Sequence, residues 1–476
     1  MIGGDGLPNP QRRWAVVALF IGTVMSSLDS TIANVALPTI AVDVHASAAA
    51  SIWVVNAYQL AITVSLLSFS SLGDIFGYTR VYRIAVIVFT IASLLCAVSH
   101  SLLALTLARS LQGFAASAQM AVGPALGRSL YPRSQLGRAV SNAALAVGVS
   151  ATAGPTIAGA VLSVAPWPWL FLINIPTGLI ALALTYRFVP EHAGTRHRFD
   201  VPSAIGSALA VGLFVLAVDG VGHGVNRFVT AAELVALIAV AAAFWHRQQT
   251  LAIPMLAVNL FRRAMFTLSL VTSHISFIGQ MLAFVTLPFY FEDVLGFSAA
   301  ETGLLITSWP LAVTLIAKAA GRLADRYPAG ALTTFGMLVV AAGLFLIVIL
   351  PPNPSPLDIA WRLALCGLGN GFFQTPNNRA IMSSAPVERS GVVGGLAAMA
   401  RVTGQTVGAS LVALVFAAFK AGPHVDRQEV TIALALAITF TLLAAFIGSL
   451  RLRAQVESDR APKQYQTEQR AQDAVR

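Results

Sequence analysis

The chain carries the stretch Leu-Pro-Thr-Ile-Ala-Val-Asp at residues 37–43 and the related stretch Leu-Pro-Phe-Tyr-Phe-Glu-Asp at residues 287–293. In both stretches a Leu-Pro pair is followed five residues later by Asp. An Arg-Arg pair at residues 12–13 recurs at residues 262–263 with the same offset of 250 residues. This constant offset indicates that one half of the chain is an old copy of the other.

The composition is typical of a membrane protein. Of the 476 residues, 57% are hydrophobic and only 11% are charged, whereas about a quarter of the residues are charged in an ordinary soluble protein. Apolar runs of about 20 residues, long enough to cross about 30 Å of hydrocarbon as helix, recur along the chain. Because lipid offers the backbone no hydrogen-bond partners, these runs are predicted to be helices.

The pattern predicts an all-α integral membrane protein with fourteen spans. Their approximate centres are Met25, Leu60, Ile91, Phe114, Ser150, Ile180, Val211, Ala239, Phe277, Ile306, Ala341, Gly371, Gly404 and Thr439. The span around Ala239 is the weakest. If it and the span around Val211 do not cross the membrane, the count falls to twelve and both termini stay on the inner side.

The net charge of +10 invites a nucleic-acid partner, but the distribution of the charge argues against one. If the N-terminus is inside, 24 Lys and Arg residues fall on inner loops and tails and four fall outside. This asymmetry is the positive-inside bias, which orients a membrane protein. We therefore expect a multi-pass membrane protein with both termini in the cytoplasm. Cys96 and Cys366 both lie in apolar spans and are expected to be small packing residues.

The repeat and the spans together predict four segments. Residues 1–189 form an N-terminal six-helix bundle, and residues 262–452 form a C-terminal six-helix bundle. Residues 190–261 are a two-helix insert with its linkers, and residues 453–476 are a disordered cytoplasmic tail. A duplicated all-helical membrane protein is first of all a candidate transporter, because two similar halves can rock about a site between them.

Five motifs lie on corresponding spans. They read Leu28-Asp29-Ser-Thr-Ile-Ala-Asn34-Val-Ala-Leu-Pro38, Ser70-Ser-Leu-Gly-Asp74-Ile-Phe-Gly77-Tyr-Thr-Arg80, Leu107-Ala-Arg109-Ser-Leu-Gln112-Gly113, Gly148-Val-Ser-Ala-Thr-Ala-Gly154-Pro155-Thr-Ile-Ala-Gly159 and Gly321-Arg-Leu-Ala-Asp325-Arg326-Tyr-Pro. Together they resemble the signature motifs of the major facilitator superfamily, specifically its fourteen-span drug–proton antiporters. The resemblance implies that superfamily's fold, with two extra helices, and export driven by the proton gradient.

The same resemblance implies gating roles for two loops at the inner face. Asp74, with Gly77 and Arg80, would belong to a latch that holds the two halves together when the protein is open outward. The chain departs from the family pattern because Ser70 replaces a glycine and basic residues are few. The second copy, Asp325 with Arg326, is therefore expected to carry more of the latch.

The fifth span is built for close packing and bending. Gly148, Gly154 and Gly159 let neighbouring helices approach, and Pro155 removes a backbone hydrogen bond. This resembles the antiporter-specific motif of the superfamily. Plain packing of small residues is an equally simple reading of the same stretch.

Asp29 is the acidic residue that lies deep within a span. By helix rise it is roughly 22 Å from the inner face, and Arg109 on span four is at similar depth. A charge at this depth is costly unless it is paired or hydrated, so a charged residue there is a candidate functional residue. The resemblance implies that the first and fourth spans line the central cavity, so we expect Asp29 to face that cavity, to couple with Arg109 and to carry the transported proton. A structural ion pair is the alternative.

Polar and aromatic residues at helical spacing predict a roomy site for an amphipathic organic molecule. The candidate cavity residues are Asn56, Gln59, Gln112, Phe277, Gln280, Phe284, Asn370, Gln374 and Asn377. Some of these side chains can instead join neighbouring helices. His274 is expected to form a hydrogen bond across spans, and Arg401 is expected to be architectural.

No nucleotide-binding loop, metal-ligand cluster or nucleophile with an adjacent base is present in the sequence, so neither an enzyme nor a cofactor is predicted. The predicted function is proton-coupled export of organic compounds, or multidrug efflux, by alternating access. The predicted partners are a small organic molecule, protons and the bilayer, and the protein is expected to be a monomer. A periplasmic adaptor protein is left open. Two alternatives are a dedicated exporter of a neutral or anionic metabolite and a membrane sensor that transports nothing.

Overall fold

The computed structural model describes residues 6–132, 135–192, 194, 199–222, 227–251, 258–384, 390–419 and 422–475. Throughout this part of the chain the regular structure is helical and no β-strand occurs. Parts of the predicted insert, residues 193, 195–198, 223–226 and 252–257, lie outside the described residues.

The helices follow the order that the sequence predicts. In the N-terminal half they are α1 (Gln11–Val35), α2 (Leu37–Asp43), α3 (Ala48–Ser51), α4 (Trp53–Phe76), α5 (Tyr78–Ala97), α6 (Leu102–Leu130), α7 (Leu136–Leu162), α8 (Trp169–Leu172) and α9 (Asn174–Phe188). The insert contains α10 (Val201–Gly222) and α11 (Arg227–Thr250). The C-terminal half contains α12 (Ala264–Phe289), α13 (Ala299–Ala324), α14 (Ala329–Val348), α15 (Pro356–Ser383), α16 (Ser390–Ala418) and α17 (Arg427–Val475).

Each of the fourteen predicted span centres lies in one of the long helices. Among the described residues, ten helices are long and apolar enough to cross a membrane. The other four centres fall in α6, α10, α11 and α15. The all-helical prediction is confirmed, and the number of membrane crossings stays a prediction.

Local sequence explains where several helices begin. Ser101, Ser298 and Ser355 cap α6, α13 and α15, since each side chain accepts a hydrogen bond from a backbone N–H in the first turn. Between α4 and α5 the break is Gly77 alone, whose φ of +90° is a conformation that favours glycine. The expected loop around Asp74 is therefore wrong in detail, because Asp74 lies in the last turn of α4.

The duplication is visible in packing as well as in sequence. In each half the first long helix packs on the fifth and the sixth, and the second packs on the fourth. At the latter contact an added Cβ on Gly113 would lie 2.4 Å from the carbonyl oxygen of Tyr58. An added Cβ on Gly367 would lie 2.2 Å from the carbonyl oxygen of Trp309. Glycine is thus required at the same crossing in both halves.

The repeated aspartates also make equivalent contacts. Asp43, at the end of α2, accepts a hydrogen bond of 2.7 Å from the indole N–H of Trp167, which precedes α8 and α9. Asp293, in the short π-helical segment Tyr290–Val294 that follows α12, accepts one of 3.1 Å from the backbone N–H of Val425, which precedes α17. In both halves the carboxylate therefore ties the segment after the first long helix to the segment that leads into the sixth.

The insert packs across the junction between the two halves, because α10 contacts both α4 and α16. At its base Arg247 of α11 donates a hydrogen bond of 2.7 Å to Asp200. Partial burial acts to raise the pKa of Asp200, but hydrogen bonds from Ser203 and Arg247 hold that pKa below its usual value. This ion pair joins the start of α10 to the end of α11.

The C-terminal tail follows the last predicted span. In the structure α17 continues as helix to Val475, and the disorder predicted for residues 453–476 stays a prediction. The tail is rich in Ala, Glu, Gln, Lys and Arg, which have high intrinsic helix propensity. Local propensity therefore accounts for the helix.

The two halves meet at the end of the molecule that carries α2 and α3, which we call the α2 end. There the N–H of Ala48 donates a hydrogen bond of 2.7 Å to the carbonyl oxygen of Gly422. Between α7 and α13 the hydroxyls of Thr156 and Thr307 are 2.6 Å apart. An added Cβ on Gly303 would lie 2.3 Å from the carbonyl oxygen of Pro155. Small residues thus allow backbone contact across the junction.

The halves separate toward the opposite end, which carries Gly77 and which we call the Gly77 end. Thr152 of α7 still contacts Thr314 of α13, with hydroxyls 3.2 Å apart. One turn further, an added Cβ on Gly148 would have no atom within 4 Å. The same is true of Gly394 and Gly395 near the start of α16. The molecule is therefore closed at the α2 end and open between its halves at the Gly77 end.

Gly303→Val is predicted to prevent closure at the α2 end, because its side chain would collide with the α7 backbone. The measurement is disulfide formation between cysteines placed at Thr156 and Thr307, in a background without Cys96 and Cys366. We expect efficient cross-linking in that background and little after Gly303→Val. Gly148→Val is the matched control, and equal cross-linking in both variants would contradict the assignment.

Candidate functional site

A buried ion pair lies in the middle of the N-terminal half. Asp29 of α1 is 2% exposed and Arg109 of α6 is 0% exposed. An Arg109 Nη1 donates directly to a carboxylate oxygen of Asp29. The predicted coupling of these two residues at one depth is therefore present as a contact.

Two amides complete the coordination of the Asp29 carboxylate. Gln112 Nε2 donates to Oδ1 at 2.8 Å, and Asn174 Nδ2 donates to the same oxygen at 2.9 Å. The guanidinium is satisfied in turn, because Arg109 Nε donates to the carbonyl oxygen of Val54 at 3.1 Å. Arg109 also donates to Gln112 Oε1 at 2.7 Å. A buried ion pair requires such additional partners, since neither charge is hydrated.

Aromatic rings cover the guanidinium. The Arg109 carbon Cζ lies 4.2 Å from the centroid of the Tyr58 ring and 5.6 Å from that of Phe171. Tyr58 is fixed by a hydrogen bond of 3.0 Å from its hydroxyl to the carbonyl oxygen of Ser26. These cation–π contacts add attraction and exclude water from the pair.

The expectation that Asp29 faces the central cavity is wrong for this structure. Its partners lie on α6 and α9, and Tyr58, which covers Arg109, lies on α4; all belong to the N-terminal half. The side chain points into that half because the face of α1 that carries Asp29 packs against α6 and α9. The ion pair is therefore inside one half and not in the gap between the two.

The predicted cavity residues divide into two groups. Gln280, Phe284 and Gln374 are half-buried, while Asn56, Gln59, Gln112, Phe277, Asn370 and Asn377 are buried. Asn56 donates a hydrogen bond of 3.2 Å to Ser410, across the closed junction of α4 and α16. Asn377 accepts one of 2.7 Å from Arg451 within the C-terminal half. Gln112, Asn56 and Asn377 are thus committed to contacts between helices.

The predicted latch residues make contacts within their own halves. Asp74 accepts a hydrogen bond from the hydroxyl of Tyr78, one turn along the chain. Asp325 forms an ion pair with Arg379 of α15. Arg80 and Arg326 are exposed at the Gly77 end. The ion pair of Asp325 within its own half agrees with a gap that is open at this end.

The glycines of α7 differ in what they contact. An added Cβ on Gly154 would lie 2.0 Å from the Thr31 hydroxyl of α1, and one on Gly159 would lie 2.9 Å from the carbonyl oxygen of Ala300. Gly154 therefore permits packing within the half, and Gly159 permits packing across the junction. The predicted packing role of Gly148 is absent from this structure. Pro155 is accommodated inside a continuous α7.

His274 and Arg401 lie on neighbouring helices of the C-terminal half. The Nδ1 atom of His274 is 3.1 Å from the carbonyl oxygen of Ala400 and 3.0 Å from the Thr403 hydroxyl. His274 thus joins α12 to α16, as the sequence predicts. Arg401 is half-buried at mid-helix.

Sequence reasoning missed Asn174 and Tyr58. Asn174 is a polar residue in an otherwise apolar span. Burying a polar side chain in a span costs free energy, and this was the signal that could have identified Asn174. Tyr58 carried no separate signal, because a tyrosine in a span is common and its stacking on Arg109 is a tertiary contact. Arg451, which is buried against Asn377, was also missed because it stands at the predicted end of a span.

Two repeated helical halves, closed at one end and parted at the other, are typical of membrane transporters. The sequence pattern of the Major Facilitator Superfamily matches residues 19–409. The chain belongs to this superfamily, which is one of transporters and not of enzymes.

Similar proteins share most of their length with the chain. An uncharacterized transporter, YebQ of Escherichia coli, is 50% identical over 454 residues, covering 95% of this chain and 98% of that protein. The riboflavin transporter RibZ of Clostridioides difficile is 31% identical, covering 86% and 89%. The multidrug resistance protein Stp of Mycobacterium tuberculosis is 29% identical, covering 88% and 79%.

Solved structures share the fold. A bacterial homologue of the human lysosomal transporter Spinster superposes with a TM-score of 0.67 at 15% identity, covering 94% of this chain and 98% of that one. The peptide transporter POT superposes with a TM-score of 0.69 at 14% identity, covering 92% and 94%. The predicted superfamily fold is thus confirmed.

Arg109→Gln is predicted to destabilise the protein by about 3–5 kcal/mol, because it leaves the buried Asp29 charge unpaired. The double variant Asp29→Asn/Arg109→Gln should lose less, since no uncompensated charge stays buried. The measurement is the midpoint of thermal unfolding in detergent, followed by tryptophan fluorescence.

Arg379→Gln is the control for this cycle, because its ion pair with Asp325 is exposed and is expected to contribute less than about 1 kcal/mol. A double variant that is less stable than Arg109→Gln by the full effect of Asp29→Asn would show that the two residues are independent and would contradict the prediction.

Proposed function

We propose that the protein exports organic compounds in exchange for protons, by alternating access across the bacterial inner membrane. The observation that carries this proposal is the pairing of an ionisable group buried in a span with a gap that is open at one end only. A gap of this kind supplies the two states that transport requires, and a titratable group supplies the means to bias them.

The ion pair is the proposed proton site. A proton on Asp29 would remove its negative charge and leave Arg109 without a counter-ion. The arrangement of α1, α6 and α9 around the pair would then lose its main electrostatic contact. The ionised, paired form belongs to the state that is open at the Gly77 end, and the protonated form belongs to the opposite state.

The orientation of the protein fixes the direction of transport. The positive-inside bias predicts that the Gly77 end faces the cytoplasm, so the state described here is inward-open. In this state the proton leaves and the organic compound enters the gap from the cytoplasm. Closure of the Gly77 end would then bring Asp74 and Asp325, the proposed latch residues, to the other half.

The relatives support the class of cargo. Several of them are described as multidrug resistance proteins, and one from Streptomyces glaucescens is described as a tetracenomycin C resistance and export protein, 30% identical over 415 residues. Half-buried Gln280, Phe284 and Gln374 are the residues we propose for contact with an amphipathic organic molecule. The proposed assembly is a monomer in the bilayer.

Asp29→Asn is predicted to abolish export driven by a pH gradient, because Asn keeps the shape of the side chain but carries no exchangeable proton. The variant also leaves the buried Arg109 without a counter-ion, so flux is compared at equal amounts of folded protein. The assay uses purified protein in liposomes, an imposed pH gradient, and the fluorescent dyes fluorescein and rhodamine 123 as probes. Flux should fall to that of protein-free liposomes.

Asp358→Asn is the matched control, since this carboxylate pairs with Arg362 near the α2 end, outside the proposed proton path. It should retain the wild-type flux. Gradient-driven flux in Asp29→Asn that equals wild type would refute the proton role, and no gradient-dependent flux of either dye by wild type would refute the proposed function.

A further inference from the structure

The charged side chains at mid-helix in the described residues differ in whether they have a partner of opposite charge. Asp29 and Arg109 neutralise each other and share hydrogen bonds with Gln112 and Asn174. Arg401, on α16, has neither a hydrogen bond nor an ion pair with any residue that the structure describes. Tyr58, which stacks on Arg109, lies near Arg401 but carries no charge that could balance it. Of these three charges, that of Arg401 is therefore the one that no described carboxylate balances.

The position of Arg401 places that charge beside the gap. It is in the middle of α16, yet its side chain keeps accessible surface. The adjacent Val402 is buried in the apolar cluster of the N-terminal half, so this turn of α16 lies where the halves meet. Toward the Gly77 end, Gly394 and Gly395 of the same helix have no neighbour within 4 Å of an added Cβ. Arg401 thus lies where the gap between the halves ends, on the side toward the α2 end.

Uncommitted amides accompany Arg401. Gln405 lies one turn further along the same face of α16 and is half-buried. Neither its side chain nor that of Gln59 on α4 makes a hydrogen bond to a described residue. A guanidinium that offers several N–H donors, with amides nearby, is a suitable binding site for a carboxylate, sulfonate or phosphate group. The same site repels a cation.

An unpaired guanidinium at this depth is costly unless water or a ligand compensates its charge. The neighbouring arginine shows the alternative, since Arg109 has a carboxylate, an amide and a backbone carbonyl as partners. A purely architectural arginine would be expected to have such partners as well. Because no residue in the described ranges pairs with Arg401, its donors are available to a ligand in the gap.

We propose that Arg401 binds an anionic group of the transported compound, so that the cargo is an amphipathic organic anion and not a cation. This inference rests on the proposed export function and names the substrate class of the same gap. It also assigns Arg401, which the sequence alone presents as architectural, as a residue that determines specificity.

The test is equilibrium binding of two xanthene dyes of similar size and opposite charge to the purified full-length protein at pH 8. Fluorescein is the anionic probe and rhodamine 123 is the cationic probe, and binding is followed by fluorescence polarisation. Wild type should bind fluorescein more tightly than rhodamine 123. Arg401→Gln should weaken fluorescein binding at least about tenfold, which corresponds to the loss of one charge-assisted contact.

Two further variants separate charge from structure. Arg401→Lys keeps the positive charge and should restore most of the fluorescein affinity, whereas Arg13→Gln removes an exposed charge near the start of α1 and should have no effect. Rhodamine 123 binding should be unchanged or stronger in Arg401→Gln, which shows that the variant is folded.

Three results would overturn the inference. They are wild type that does not bind fluorescein, wild type that binds rhodamine 123 as tightly as fluorescein, and Arg401→Gln that binds fluorescein as wild type does. None of these depends on a pH gradient. Gradient-driven flux of rhodamine 123 alone would refute the anion site while supporting export, so failure of the two proposals can be told apart.

Discussion

A charge removed from water inside a helical bundle persists only if other polar groups replace its hydration, and this constraint shapes the N-terminal half. Arg109 and Asp29 form an ion pair, and side-chain amides from α6 and α9 donate further hydrogen bonds to the Asp29 carboxylate. Four helices contribute to this one cluster when Val54 and Tyr58 of α4 are included. The pair therefore ties the half together, and a change in its protonation would be felt by every helix that contributes.

The second constraint is backbone contact at the junction of the halves. Gly159 and Gly303 let α7 and α13 meet without side chains between them, and the Thr156–Thr307 contact adds a polar pair. Rocking of two halves about such a junction needs small residues on one side and open space on the other. Gly148, with no neighbour, marks where the contact ends. The packing of one face of α7 therefore determines where the gap between the halves is accessible.

The sequence predicted much of this architecture, because it depends on features that leave a local signal. Apolar runs of sufficient length gave the helices, and the recurring Leu-Pro and Asp residues gave the duplication. The depth of Asp29 and Arg109 followed from helix rise alone. The structure adds that repeated residues occupy equivalent places, since Asp43 and Asp293 make equivalent contacts and Gly113 and Gly367 occupy equivalent crossings.

The roles of the polar residues depend on whether each helix face packs inside its half or lines the gap, and a single sequence does not determine this. Asp29 was expected to face the gap and instead faces α6 and α9, because its amide partners were not recognised. Asn377 was expected in the cavity and instead holds Arg451. Polar residues in spans identify important positions, but only the packing separates those that join helices from those that line a gap.

The central claim is that Asp29 exchanges a proton as the compound binds. The most direct measurement is the number of protons released when fluorescein binds to the purified protein, obtained by calorimetry in two buffers of different ionisation enthalpy. If proton and compound favour opposite states, wild type releases protons on binding and Asp29→Asn releases none. Equal proton release by the two proteins, at equal occupancy, would contradict the account.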